Sequence, residues 1–216
     1  MLVLLLAMTG QTTGQPAALP TGTLPSANEL EAPHRFRSGV VVGFTVGAGL
    51  VGASGYPNNL SQIGDPSYYS ASGWMAGTGE TLFVMGALTD YLSFGFWFAH
   101  ATASNGDWHS GGDGGGLRVE AFPLAGWVPS LQGLGLLAQF GIGSGNLTSK
   151  RPGLPEANGT QSFAAAGTFY EWSFGHFLGG HFGAGPNLEF DEIWSLPFER
   201  HGLAASARLV FYGGGG

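Results

Sequence analysis

The stretch Val42-Gly-Phe-Thr-Val-Gly-Ala-Gly-Leu50 alternates without a break between apolar residues and glycine or threonine. A period of two is the signature of a β-strand. Val42, Phe44, Val46, Ala48 and Leu50 share one side; Gly43, Thr45, Gly47 and Gly49 share the other. In a soluble sheet, the face opposite the apolar one carries polar side chains that meet water. Glycine there weakens the strand and gains nothing from solvent. Glycine facing the inside of a narrow closed barrel has a reason, because the lumen has little room. The apolar side then faces outward.

The same alternation recurs along the chain. Leu92, Phe94, Phe96 and Phe98 stand against Ser93, Gly95 and Ala99; Leu117, Val119 and Ala121 against Arg118 and Glu120. Leu134, Leu136, Ala138, Phe140 and Ile142 stand against Gly135, Gln139, Gly141 and Gly143; Tyr170, Trp172 and Phe174 against Gly167 and Glu171. Phe182, Ala184, Leu188 and Phe190 oppose His181, Gly183, Gly185, Asn187, Glu189 and Asp191, and Leu203 to Phe211 oppose Ala204, Ser206 and Arg208. Over residues 74–88 the pattern assigns Met75, Thr81, Phe83, Met85 and Ala87 to the apolar face and Thr78, Glu80 and Gly86 to the other. Short turns are expected near Thr89, Ser130 and His176, and long polar loops over 53–72, 101–115, 148–161 and 193–201. Eight strands joined in this way make an up-and-down meander.

Composition supports a membrane location for that sheet. The chain has 216 residues, of which 40 are glycine and 12 proline, a content near the low-complexity range, yet 44% of residues are hydrophobic and 13% aromatic. Disordered chains are poor in apolar residues and strongly charged; only 10% of residues here are charged. Outward faces built from Phe, Leu, Met, Trp and Tyr would expose far more apolar area than a soluble monomer carries. In lipid the pattern is ordinary, and a closed barrel pairs every backbone polar group, as lipid demands. The reading is all-β: a closed antiparallel up-and-down transmembrane β-barrel of about eight strands. No apolar run approaches the roughly 20 residues of a membrane-spanning helix. A net charge of -7 argues against nucleic acid as a partner, and the absence of cysteine excludes disulfides and thiolate chemistry.

The domain reading follows. Met1-Leu-Val-Leu-Leu-Leu-Ala-Met8 looks like the apolar part of a secretory signal, without a preceding Lys or Arg, so 1–18 is read as a signal peptide. The stretch Gly10 to Pro33 is rich in Gln, Thr and Pro and does not look like fold, so 19–38 are read as a flexible N-terminal segment; 39–212 form the barrel and 213–216 a glycine tail.

From about residue 39 to 212 the chain resembles the small eight-stranded outer-membrane proteins of Gram-negative bacteria, the OmpA- and OmpX-type barrels. The resemblance rests on topology, on Leu88-Thr-Asp-Tyr-Leu-Ser-Phe-Gly95 as a periplasmic turn, and on the terminal Ala207-Arg-Leu-Val-Phe-Tyr212. It implies location in the cell outer membrane, outer-membrane lipid as a partner, and a terminal aromatic residue used by the outer-membrane assembly machinery. The four glycines after Tyr212 displace that terminal signal. Pro123 and Pro186 fall inside expected strands, where each removes a ladder hydrogen bond, so bulges or strand ends are expected there.

The inferred lumen face holds a polar cluster of Glu80, Arg118, Glu120, Glu171, His181, Glu189, Asp191 and Arg208. Charges in a narrow lumen are costly unless paired. Arg118 with Glu80 or Glu120, and Arg208 with Glu189 or Asp191, are the expected partners. The interior of an eight-stranded barrel is just wide enough for side chains, which favours a salt-bridge plug over an ion path or ligand site. No catalytic residue, metal site or cofactor is expected. His176 and His181 point to opposite faces, and His100 and His109, with Asp107 and Asp113 nearby, fall in an expected solvated loop. Lipid A deacylases of barrel type pair a His with a Ser two residues on, ahead of Pro-Asn; His181-Phe-Gly-Ala-Gly-Pro-Asn187 has Gly183 at the Ser position. Asn59-Leu-Ser61, Asn146-Leu-Thr148 and Asn158-Gly-Thr160 match the glycosylation acceptor but read as loop composition. The functional expectation is a non-enzymatic barrel with a structural or surface-interaction role through its extracellular loops. The alternatives are a narrow channel or small-ligand transporter, and a membrane-embedded lipid A-modifying enzyme.

Overall fold

The structure is a computed structural model that describes residues 37–214. The expected signal peptide, 19–36 of the N-terminal segment, and 215–216 of the glycine tail lie outside the described residues. Among the described residues nine strands form: β1 (Gly39–Gly55), β2 (Ser70–Thr89), β3 (Leu92–Ser104), β4 (Trp108–Ala121), β5 (Leu134–Ser149), β6 (Ala157–Tyr170), β7 (Trp172–Phe177), β8 (Gly180–Trp194) and β9 (Phe198–Gly213). Consecutive strands pair antiparallel except β6 and β7; β1 also pairs with β9, and β6 pairs with β8, so the sheet closes.

The barrel has eight strands in circumference because β6 and β7 are one strand with a break. Phe169 pairs with Asn187 at the end of the β6–β8 ladder, and Trp172 pairs with Ala184 at the start of the β7–β8 ladder. Glu171 stands between. Opposite the break are Gly185 and Pro186. Pro186 has no N–H to give the ladder, and a Cβ on Gly185 would lie 1.7 Å from the Tyr170 carbonyl oxygen. The expected irregularity at Pro186 is thus a break in the facing strand. Pro123 lies just beyond β4 and outside any strand.

Strands are longer and loops shorter than the sequence suggests. At the rim where β1 begins and β9 ends, here the lower rim, the connections are 90–91, 122–133 and 178–179; at the upper rim they are 56–69, 105–107, 150–156 and 195–197. Of the upper connections only 56–69 stays a long loop, and it too is shorter than the expected 53–72. The expected loop over 101–115 is two strands and a three-residue turn: Asp113 pairs with His100 on one side and Ser144 on the other. The run Gly111-Gly-Asp-Gly-Gly-Gly116 reads as loop by composition, but the lumen needs its small residues. A Cβ on Gly114 would come within 2.9 Å of the Trp97 indole, which fills the space beside it. The short turn expected near Ser130 is instead the longer connection 122–133, which carries a 3-10 turn (Pro129–Leu131) and tucks Phe122 under the barrel.

The outward face is apolar over the lower and middle part of the wall. Val40, Phe44, Leu82, Val84, Phe94, Phe96, Phe98, Phe140, Ile142, Leu188, Phe190 and Leu203 are all exposed. A band of this kind about 25 Å tall, flanked by aromatic girdles, is the surface of a transmembrane barrel. Tyr91, Trp127 and Trp172 lie toward the lower rim and Trp74 and Trp194 toward the upper. Above the band the outer wall turns polar at Glu80, His100, Asp113, Ser144 and Thr160, which occupy one ladder row.

Candidate functional site

The interior is filled in layers. Near the upper rim Val51, Ala53, Met75, Ala103, Leu147, Ala157 and Phe198 form an apolar cap. Below the middle, Arg208 of β9 reaches across the lumen to Glu120 of β4. Arg208 Nη1 and Nη2 donate to Glu120 Oε1 and Oε2, each at 2.7 Å, a bidentate fork. Arg208 Nε donates to Glu171 Oε1 at 2.6 Å, and the Tyr212 hydroxyl donates to Glu171 Oε2 at 2.7 Å. Arg118 Nε donates to Glu120 Oε1 at 2.7 Å. Both guanidiniums lie over the Phe83 ring, at 4.4 and 4.5 Å, and Arg208 also over Phe169 at 4.3 Å. Since β4 and β9 stand opposite each other in the eight-strand circle, this network spans the diameter.

The lower rim has a second closure. Arg37 stacks on Phe122 at 3.4 Å, and its Nη1 and Nη2 donate to the carbonyls of Asp90 and Gln132. One side chain therefore ties the entry of β1 to two lower connections. His181 is buried there, stacked on Tyr212 at 4.9 Å between centroids.

Between the ionic layer and the apolar cap lies a cavity of about 90 Å³. Its polar lining comes from Asn187, Glu189 and Asp191 of β8, Arg200 and Ser206 of β9, Thr45, Trp97 and Thr81, together with Glu80, His100 and Asp113 of the wall, while Gly47, Gly79, Ala101 and Gly112 leave the space open. Asp191 Oδ2 accepts from Arg200 Nη1 at 3.3 Å, and Asn187 Nδ2 donates to Ser206 Oγ at 2.9 Å.

Of the eight residues expected inside, seven point inward: Arg118, Glu120, Glu171, His181, Glu189, Asp191 and Arg208. Glu80 does not. It faces outward beside His100, whose Nδ1 lies 2.6 Å from Asp113 Oδ1 on the exposed wall. The faces of β2 are exchanged relative to the expectation: Met75, Phe83 and Met85 are buried, while Trp74, Leu82, Val84 and Leu88 are exposed. Both faces of β2 are apolar near residues 82–85, so alternation alone carries no contrast to orient them. Arg118 takes Glu120, as expected. Arg208 takes Glu120 and Glu171 rather than Glu189 or Asp191; Asp191 takes Arg200, which fell in an expected loop. Asp107 pairs with Arg151 at 2.5 Å. Among the described residues no three His, Asp or Glu side chains are grouped to hold a metal ion. In the upper loop, Asp65 caps the 3-10 turn Pro66–Tyr68; the Ser67 backbone N–H and hydroxyl that it accepts hold its carboxyl below the ordinary carboxylate range.

The architecture has solved counterparts. It is similar to Ail, the attachment invasion locus protein of Yersinia pestis, at 11% identity over 80% of this chain and 99% of that one, with a TM-score of 0.50. The likeness is one of fold. Joined to the outward apolar band, it decides the class. The chain has the fold of an eight-stranded transmembrane β-barrel. Lower-scoring matches to the barrel are the N-terminal domain of Pseudomonas aeruginosa OprF (13% identity over 80% of this chain and 98% of that one, TM-score 0.41) and Neisserial surface protein A (11%, 76% and 95%, TM-score 0.37). No protein-family model and no curated protein matches the barrel's sequence.

Proposed function

We propose that this outer-membrane barrel is a non-catalytic, non-conducting protein that acts at the cell surface. The observation that carries this reading is the diametral network of Arg208, Glu120, Arg118 and Glu171, closed above by the apolar cap and below by Arg37 on Phe122. Moving an ion through it means separating desolvated, hydrogen-bonded charges. With three of its upper connections short, its surface for partners is the upper loop 56–69 and the polar wall that projects above the apolar band. There Asn58, Thr102, His109, Asn146, Asn158 and Thr160 line a shallow groove of about 450 Å³. Lipid covers the band, and the outer-membrane assembly machinery takes the chain by the terminal Phe211-Tyr212 strand end.

Planar-bilayer recording of the refolded barrel tests the closed lumen. The expected result is no discrete conductance step; reproducible steps favour the narrow-channel alternative instead. Lipid A mass analysis with and without the barrel is expected to show no change. His181, the one histidine in a deacylase-like context, is turned inward onto Tyr212, away from lipid.

A further inference from the structure

The outer wall has a groove along β2. Its outward side chains there are, from the lower rim upward, Gly86, Val84 and Leu82, and these pair with Phe94, Phe96 and Phe98 on β3. Small groups beside a ridge of three rings leave a track, and a Cβ on Gly86 would meet nothing within 4 Å. Toward its top the track opens into a space of about 580 Å³ over Leu82, walled by Phe44 and Val46 of β1 and by Phe98 and His100 of β3. Glu80 stands at its head, next above Leu82 on the same face.

Glu80 supplies the charge. Val46 flanks it on β1, so its carboxylate borders the apolar band on one side. A carboxylate there is protonated or neutralised by a cation. On the other side His100 Nδ1 lies 2.6 Å from Asp113 Oδ1, and even a charged His100 leaves the three groups with a net negative charge. The Lys and Arg side chains among the described residues are engaged elsewhere. Arg118, Arg200 and Arg208 lie in the lumen and Arg37 at the lower rim; Lys150 bonds the Asn105 carbonyl and Arg151 pairs with Asp107. The Glu80 carboxylate has no salt-bridge or hydrogen-bond partner among the described residues. A free cation would use that carboxylate alone, whereas a cation tethered to an acyl chain uses the carboxylate and the track below it. We infer that this groove is a site for one membrane lipid with a primary-amine head group, its acyl chain laid over Gly86, Val84 and Leu82 and its ammonium on Glu80.

Native mass spectrometry of the refolded full chain in uncharged detergent tests this site. Lysophosphatidylethanolamine and lysophosphatidylglycerol with the same acyl chain are added in equal amounts, and each variant is checked for heat-modifiable gel migration. The parent chain is expected to retain one lysophosphatidylethanolamine about fivefold more than the glycerol lipid, the preference that one exposed ion pair gives. Glu80 is exposed, so Glu80→Gln is expected to fold and to lose the preference. Leu82→Trp fills the groove and should lower retention of both lipids, while Phe140→Leu, on β5, should change neither. Equal retention of the two lipids by the parent chain means that a proton neutralises Glu80 and that the groove reads no head group, which overturns the proposal. A preference that survives Glu80→Gln reflects the overall negative charge of the chain, and retention indifferent to Leu82→Trp places the lipid elsewhere on the band; either result overturns it equally.

Discussion

Arg208 is the side chain on which the interior turns. It is fully desolvated, bonded to two carboxylates and stacked on two rings. A buried ion pair is weak evidence of net stability, because desolvation offsets much of its attraction; removing one member is another matter, since the remaining charge stays buried and alone. Arg208→Met should therefore lower unfolding stability by about 3–5 kcal/mol, measured as the urea midpoint in lipid vesicles. Glu171→Gln keeps an acceptor for Arg208 and a partner for Tyr212 and should cost clearly less. If Arg208→Met unfolds within about 1 kcal/mol of the parent chain, the network fills space without holding the barrel together. The lower rim depends similarly on Arg37, whose guanidinium joins Asp90 to Gln132.

At the scale of elements, two local geometries invite substitution. The two-residue turn between β7 and β8 has φ of 50° at Leu178 and 73° at Gly179. Positive φ at both central positions is the type I′ hairpin turn, which prefers Asn-Gly. Leu178 is 84% exposed, so its side chain has little packing to lose. Leu178→Asn should stabilise the barrel by about 0.5–1 kcal/mol through relief of that strain, again read from the urea midpoint; a lower midpoint would mean that the leucine anchors the rim in the membrane interface. Gly185→Ala should do the reverse, by about 1–3 kcal/mol, because its methyl meets the Tyr170 carbonyl at the β6–β7 break. These elements also mark how far the sequence could be read. Strand number, antiparallel order and seven of the eight polar side chains expected inside follow from period-two alternation wherever the two faces differ in character. Alternation fails on β2, where Leu82 and Val84 oppose Phe83 and Met85, and Glu80 is misplaced as a result. It fails for strand length too: the glycines of 111–116 carry loop composition, and close approaches such as the Trp97 indole to Gly114 and the Phe140 carbonyl to Gly116 explain why they belong in a wall. Arg200 was hidden by the same error, since 193–201 reads as loop although Arg200 is paired within β9. The partners of Arg208 depend on which strands face each other across the circle, and no local pattern encodes that.

For the whole molecule, the low charge and high glycine content have one cause: lipid covers the outside and side chains fill a narrow inside. The outer wall then has two regimes along a single strand. On β3, Leu92, Phe94, Phe96 and Phe98 belong to the apolar band, and from His100 onward the same face is polar. Phe96 lies mid-band and is 58% exposed in the isolated chain, whereas Thr102 faces outward above the Glu80–His100–Asp113 row. A lysine at mid-band must leave its ammonium in hydrocarbon or drag it to the interface, while a lysine at 102 remains in water. Phe96→Lys should cost about 2–4 kcal/mol of folding stability in bilayers and Thr102→Lys about 0–1 kcal/mol. Both should be nearly neutral when the protein is refolded in small detergent micelles, where water reaches the band more easily. Equal costs at the two positions in bilayers would mean that lipid does not end at His100, and the polar wall assigned to surface partners would then lie within the membrane.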